Sequence, residues 1–332
     1  MAVTIQERDI GMTRWLGKTI GEIVHKAVIS LPEKESIEEI RLRVNQPIML
    51  RTGKSDHFLS PTGNVGAKDN AYIVSKEDLI EVLEKMTYSS VYAAEEELRQ
   101  GFLTLPGGHR VGITGEAVAE GGKIRILRSI SALNVRIARQ PDIQGFHTLR
   151  FLIDQNKAIY NTLIISPPRA GKTTILRFLI KNLSDGVPQL GIRGQTVGVV
   201  DERSEIAGMW QGVPAFDLGC RTDILDRCPK AQGMIMLIRA MAPDILAVDE
   251  LGSPEDAFAL GEAVRCGVKI LATAHARSPA ELGNRILLKN LLETEVFERI
   301  VVLSRKNGPG TLEGVYDMAT GINIISKKEA MC

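Results

Sequence analysis

The stretch Thr162–Thr174, TLIISPPRAGKTT, constrains this chain more than any other. It reads as a short apolar strand, a tight loop, and Gly171-Lys172-Thr173-Thr174 opening a helix. A phosphate-binding loop needs that order of elements. Backbone N–H groups at a helix N-terminus converge on an anion, and the helix dipole adds favourable potential. The loop candidates are Ser166, Pro167, Pro168, Arg169, Ala170, Gly171, Lys172, Thr173 and Thr174. Lys172 is expected to reach the β- and γ-phosphates of ATP, and the Thr173 hydroxyl to sit on Mg2+. One position departs from the usual pattern: Ser166 stands where a glycine ordinarily begins the loop. Pro167 and Pro168 have no N–H to donate, so the cradle falls to the amides of Arg169 to Thr174. In the helix that follows, Ile175, Leu176, Leu179, Ile180 and Leu183 share one face, and Asp185-Gly186 reads as its stop.

At 332 residues the chain is long enough for two domains. We expect them at 1–140, a small α+β domain, and 141–332, an α/β domain. The hydrophobic share of 44% and charged share of 24% are those of a soluble globular protein. A net charge of +1 gives no overall bias towards nucleic acid or acidic lipid, so such binding would need a local patch. Cysteines at 220, 228, 266 and 332 have no zinc-type spacing, which suggests reduced thiols in the cytosol. The polar opening MAVTIQERDI has no signal-peptide pattern, and no apolar run approaches membrane-spanning length.

In the first part, the periodicity predicts helices over Trp15–Ile29, Ser75–Met86 and Val91–Gln100. Strands are expected at Ile37–Val44, Pro47–Arg51, Phe102–Leu105, His109–Val118, Lys123–Ile130 and Leu133–Ala138. A basic cluster runs through the later strands: His109, Arg110, Lys123, Arg125, Arg128, Arg136 and Arg139. A solvated sheet face is the plain reading of it. A subunit contact, a reach towards a nucleotide, or a nucleic-acid surface are the sharper ones. Only Phe102 accompanies it, which is weak support for base stacking.

In the second part, a helix is expected over Phe146–Gln155. Gln195–Val200 is a buried-type strand running into Asp201-Glu202-Arg203-Ser204-Glu205, four charged residues in five. Strand C-termini are where ligands bind in open α/β sheets. Residues 206–227 read as a long, glycine-rich functional loop. Asp244–Glu250, DILAVDE, ends a buried strand in two carboxylates, the Walker B pattern. Asp249 is expected to hold Mg2+ through water, and Glu250 to activate the attacking water. Val268–Thr273 is another buried strand, followed by His275, which is placed to sense a γ-phosphate. Ser253-Pro254-Glu255-Asp256 and Ser278-Pro279-Ala280-Glu281 read as capped helix starts. Strands alternating with helices around these motifs give a RecA-like parallel α/β core.

DERSEIAG, GCRTDILDRCPKAQGMIMLIRAMAPDILAVDE and ATAHA, with LPGGHRVGITGE and ISALNVRIAR upstream, resemble the family of stage III sporulation protein AA. The resemblance covers nearly the whole chain. It implies kinship to type II and type IV secretion ATPases, an N-terminal α+β domain before the RecA-like core, and a homo-hexamer. It also implies a cytoplasmic, mother-cell ATPase serving membrane-embedded proteins of a channel around the forespore. Within it, Lys172 and Thr173 match Walker A and Asp249-Glu250 match Walker B. The stretch containing Glu202 resembles the acidic box, and His275 the His box. A transferring phosphoryl calls for an arginine, and one supplied in trans is worth roughly 10³–10⁵ in rate. The candidates are Arg203, Arg221, Arg110, Arg125, Arg128 and Arg136, with Arg221 favoured for its glycine-flanked loop. A nucleic-acid-dependent ATPase is the alternative function, and a scaffold with little turnover a third.

Overall fold

A computed structural model describes residues 11–32, 37–53, 55–87, 95–121, 123–138, 145–283 and 296–325. The chain separates into two compact units, Met1–Arg139 and Gln140–Cys332.

The first unit is a seven-stranded antiparallel sheet with helices. Its strands are β1 (Ile37–Arg43), β2 (Met49–Thr52), β3 (Asp56–Leu59), β4 (Val65–Gly66), β5 (Phe102–Leu105), β6 (His109–Glu120) and β7 (Lys123–Arg136), in the order β4-β3-β2-β1-β7-β6-β5. Alternating residues Ile40, Leu42, Val111, Ile113, Leu133 and Val135 face one apolar core, shared with Ile20, Val24 and Val28 of the helix Lys18–Ser30. That helix starts later than the periodicity predicts. Gly17, at φ 73°, breaks the backbone, and the Lys18 N–H is capped by Glu81 Oε1 at 2.7 Å. The Lys76–Met86 helix begins as expected, with a reciprocal capping box between Ser75 and Asp78. The expected Val91–Gln100 helix is described only over Glu95–Arg99, and Arg139 lies outside the described residues.

The two runs 123–130 and 133–138 form one continuous strand, not two. Register shifts opposite Gly115 and the left-handed Ser129 (φ 45°) bulge the β6–β7 pair instead of turning it. A side chain at Gly115 would meet the Arg128 carbonyl at 2.6 Å, so the bulge requires glycine there.

The second unit carries the site. Its strands are β8 (Thr162–Ser166), β9 (Val197–Asp201), β10 (Thr222–Asp226), β11 (Ile245–Val248), β12 (Lys269–His275), β13 (Arg299–Ser304) and β14 (Thr311–Asp317). The order is β10-β9-β11-β12-β8-β13-β14. All neighbours are parallel except the final β13–β14 hairpin. β8, β9 and β11 are buried throughout, as continuous apolar strands covered on both faces should be.

Two expectations are corrected here. The Phe146–Gln155 helix ends early, as Phe146–Leu149 and a short 3-10 turn to Leu152. Asp154 then folds the chain back by accepting the Ala158 N–H, with Lys157 at φ 68°. The 206–227 segment is not all loop, since β10 adds an edge strand beside β9. Among the described residues no helix is long and apolar enough to cross a membrane.

Candidate active site

Strand order decides which side chains meet. β12 lies between β8, which leads into the phosphate loop, and β11, which ends in Asp249-Glu250. Neighbouring strands are about 4.8 Å apart, so a residue at the carboxyl end of β12 can touch both. That residue is His275. Its Nδ1 is 3.0 Å from Lys172 Nζ and its Nε2 is 2.9 Å from Glu250 Oε1. A lysine ammonium only donates, so Nδ1 must accept and Nε2–H must donate to the carboxylate. Lys172, His275 and Glu250 thus form one hydrogen-bonded chain across three strands.

The loop itself turns through left-handed Arg169 (φ 60°) and Gly171 (φ 88°) before the helix Lys172–Asp185. The first N–H groups of a helix lack intrahelical partners, and here they open at this loop. Ser166 is fully buried. Its hydroxyl donates to the Pro167 carbonyl at 2.7 Å and lies 3.4 Å from Lys172 Nζ. The serine in place of glycine therefore supports the lysine. The closing hairpin also reaches the loop: Gly310 N–H donates to the Ala170 carbonyl at 2.9 Å. A side chain at Gly171 would meet the Gly310 nitrogen at 2.9 Å. Thr174 follows on the helix, half-buried.

The Thr173 hydroxyl donates to Asp249 Oδ2 at 2.7 Å, and Thr273 bonds Asp249 Oδ1. A hydroxyl and a carboxylate together fit Mg2+, which takes one or two protein oxygens and keeps water and phosphate ligands. Burial lowers the pKa of Lys172 against the opposing charges of Asp249, Glu250 and Glu205. Burial pushes Glu250 up, but the His275 hydrogen bond and the Arg203 charge outweigh it and leave its pKa below the ordinary value. Arg203 Nη1 lies 2.7 Å from Glu250 Oε2.

Asp201, at the end of β9, is buried and accepts the backbone N–H groups of Glu205, Ile206 and Ala207. Desolvation still raises it to about 6. Arg177, on the phosphate-loop helix, is pushed down to about 10 by burial. It stacks over Phe216 at 4.0 Å and reaches the Glu205 carbonyl at 3.5 Å.

The structure brings Lys172, Thr173, Asp249, Glu250 and His275 together. It does not bring Arg221 to them, and Glu202 meets them only through Lys230, whose Nζ lies 3.4 Å from Glu202 Oε2 and donates to the Glu250 carbonyl at 2.7 Å; within the acidic stretch it is the charge of Glu205 that acts on Lys172. Arg221 immediately precedes β10, at the amino end of the sheet. Its side chain donates to the Ser184 carbonyl at 2.9 Å and its N–H to Ser184 Oγ at 2.7 Å. It is anchored there, not carried on a free glycine-flanked loop. The sequence reading missed the Arg203–Glu250 pair, the roles of Thr273 and Lys230, and the hairpin on the phosphate loop. Lys230 carried one signal: a cation on the first residue of a helix opposes the helix dipole.

The chain matches the family described as "Sporulation stage III, protein AA" over residues 6–324. It is 40% identical to the stage III sporulation protein AA of Bacillus subtilis over 304 residues, covering 91% of this chain and 94% of the relative. Among solved structures it is similar to the ATPase DotB of Legionella pneumophila, with a TM-score of 0.53 and 14% identity, covering 85% of this chain and 74% of DotB. It is similar also to the pilus retraction motor PilT, solved with ADP, with a TM-score of 0.51 and 11% identity, covering 89% of this chain and 81% of PilT. These likenesses show the fold, a RecA-like parallel α/β core in a chain that also carries a smaller α+β unit. The chain belongs to the stage III sporulation protein AA family.

Proposed function

We propose that this chain hydrolyses ATP with Mg2+ and uses the turnover to power or assemble a membrane-spanning sporulation channel between mother cell and forespore. It acts on the cytoplasmic, mother-cell side as a homo-hexamer and reaches the membrane through membrane-embedded channel proteins. The observation that carries the catalytic reading is the Lys172–His275–Glu250 chain beside the Thr173–Asp249 pair. The sporulation setting rests on the family, and the motor reading on the fold shared with DotB and PilT.

The chemistry follows from the geometry. Lys172 exchanges His275 Nδ1 for a γ-phosphate oxygen. His275, released at that nitrogen, still holds Glu250 Oε1 and registers the arrival of the phosphate. Glu250 is ionised and takes the proton of the attacking water as its oxygen bonds phosphorus and the bond to ADP breaks. Thr173, and Asp249 through water, would hold Mg2+, which would supply charge neutralisation on the phosphates. An arginine completing the site comes in trans. Arg221, at the far end of the sheet from Lys172, serves only across a subunit boundary, while Arg203 already touches Glu250.

Nucleic-acid dependence is the weaker reading. Phe102, the one aromatic beside the basic cluster, is covered by the Arg110 guanidinium at 4.1 Å, and Arg125 pairs with Glu120 at 2.9 Å. The test is ATP titration of wild type and Lys172→Ala, with the mass of each measured with and without ATP·Mg2+. Wild type binds and forms hexamers, and Lys172→Ala does not bind. Equal binding by the two proteins contradicts the assignment.

A further inference from the structure

We propose that Lys230 is a positioning residue for the catalytic glutamate, acting through the main chain of Glu250. This rests on the ATPase reading above and adds a role outside the Walker and His motifs.

Three observations lead to it. First, Lys230 is the first residue of the helix Lys230–Met241, where the dipole favours acids and disfavours cations, and the N-cap Pro229 gives no side-chain cap. Second, its side chain is only 11% exposed, so its ammonium must find partners inside the protein. It finds the Glu250 carbonyl at 2.7 Å, Glu202 Oε2 at 3.4 Å and Asp256 Oδ2 at 3.9 Å. The contact with the Glu250 carbonyl is the shortest of the three, and the two carboxylates balance the charge.

Third, Glu250 sits at φ 54°, in the left-handed region where a non-glycine residue is uncommon and must be held by its surroundings. Its N–H donates to Thr273 Oγ1 at 3.0 Å and to Asp249 Oδ1 at 3.1 Å. Its carbonyl receives Lys230. The peptide groups on both sides of the Glu250 Cα are therefore pinned, and the Cα–Cβ direction is fixed. That direction aims the carboxylate at His275 and Arg203. Lys230 lines a cavity of about 420 Å3 with Glu202, Glu250 and Asp256, so the main chain has room to relax on this side once the ammonium is removed. Lys230 touches none of the phosphate-loop residues in the described contacts. Its loss should disturb the angle of the base and leave nucleotide binding alone.

The experiment compares steady-state Mg2+-ATP hydrolysis and ATP affinity for the full chain as wild type, Lys230→Met, Lys230→Arg, Glu250→Gln and the Lys230→Met/Glu250→Gln double variant. Lys230→Met is expected to lower kcat roughly ten- to a hundredfold, the scale of a misplaced catalytic group, with KM and affinity within about twofold of wild type. Lys230→Arg, which can still donate to the carbonyl, recovers much of the loss. In the Glu250→Gln background Lys230→Met changes the residual rate no further, because the group it positions is gone. The proposal is overturned if Lys230→Met raises KM with kcat unchanged, if Lys230→Arg is no better than Lys230→Met, or if the two losses multiply in the double variant. Should Lys230→Met fail to fold, Lys230→Gln takes its place against Lys230→Arg with the same expected contrast. A wild type without turnover sinks the ATPase reading and this one with it. A wild type that turns over, with an inactive Glu250→Gln and a normal Lys230→Met, sinks this one alone.

Discussion

The outer end of the β6–β7 pair and the carboxyl edge of the parallel sheet treat their charged side chains in opposite ways. In the antiparallel sheet the outer part of the β6–β7 pair holds its charges in water. Arg125 and Glu120 pair at 2.9 Å but are 62% and 73% exposed, and Ile124 and Ile126 beside them are exposed too. In the parallel sheet the charged groups at the carboxyl edge are taken out of water. Lys172 is buried between Ser166 of β8 and His275 of β12, and Asp201 is buried against three backbone N–H groups of the segment that follows β9. A charge in water loses little by lacking a partner. A buried charge costs several kcal/mol unless its partners are well placed, so a chain that buries several in one place must gain something from them. Lys172 also heads the hydrogen-bonded chain through His275 to Glu250, and under the proposed function what its burial gains is chemistry.

Two substitutions sharpen that contrast. The larger effect is expected at Asp201. Its folded pKa, about 6, stands above the 3.8 of the unfolded chain because of burial. The folded state therefore holds a proton that the unfolded state has lost between these values. The stability from that proton is complete below about pH 4 and is lost as the pH rises through about 6. Unfolding free energies of wild type relative to Asp201→Asn, from urea titrations between pH 4 and 7, should fall by up to about 3 kcal/mol over this window. A difference independent of pH would show that the three backbone donors fully offset the burial. The smaller effect is at Arg125. Its exposed pair predicts that Arg125→Ala changes unfolding free energy by less than about 0.5 kcal/mol. A loss above 1 kcal/mol in the same titration would erase the distinction between the outer β6–β7 pair and the carboxyl edge.

Much of this was legible in the sequence, for local reasons. Ser75 and Ser253 each precede an aspartate by three residues, and both build the capping boxes that pattern predicts. The glycine-lysine-threonine run and the DILAVDE strand each hold their signature within a few consecutive residues. What could not be read depends on strand order. His275 meets Lys172 across 103 positions, and Arg203 meets Glu250 across 47. Neither pair has a sequence period to reveal it. β10 was hidden because TDILD is a short edge strand with three polar residues in five and no alternation, half-buried throughout. The placement of Arg221 followed from that oversight, since the residue before a strand is anchored where the residue of a loop is not. The early end of the Phe146 helix came from Asp154, a side chain that competes for backbone N–H groups and turns the chain.

The central claim is that the buried charges at the carboxyl edge form an ATP hydrolysis site with Glu250 as base. The most direct measurement is a paired assay of Glu250→Gln, ATP affinity by titration and phosphate release at saturating ATP·Mg2+. The account predicts affinity within about twofold of wild type and a turnover lower by two orders of magnitude or more, roughly the share a positioned general base supplies. Phosphate release at the wild-type rate by Glu250→Gln would contradict it.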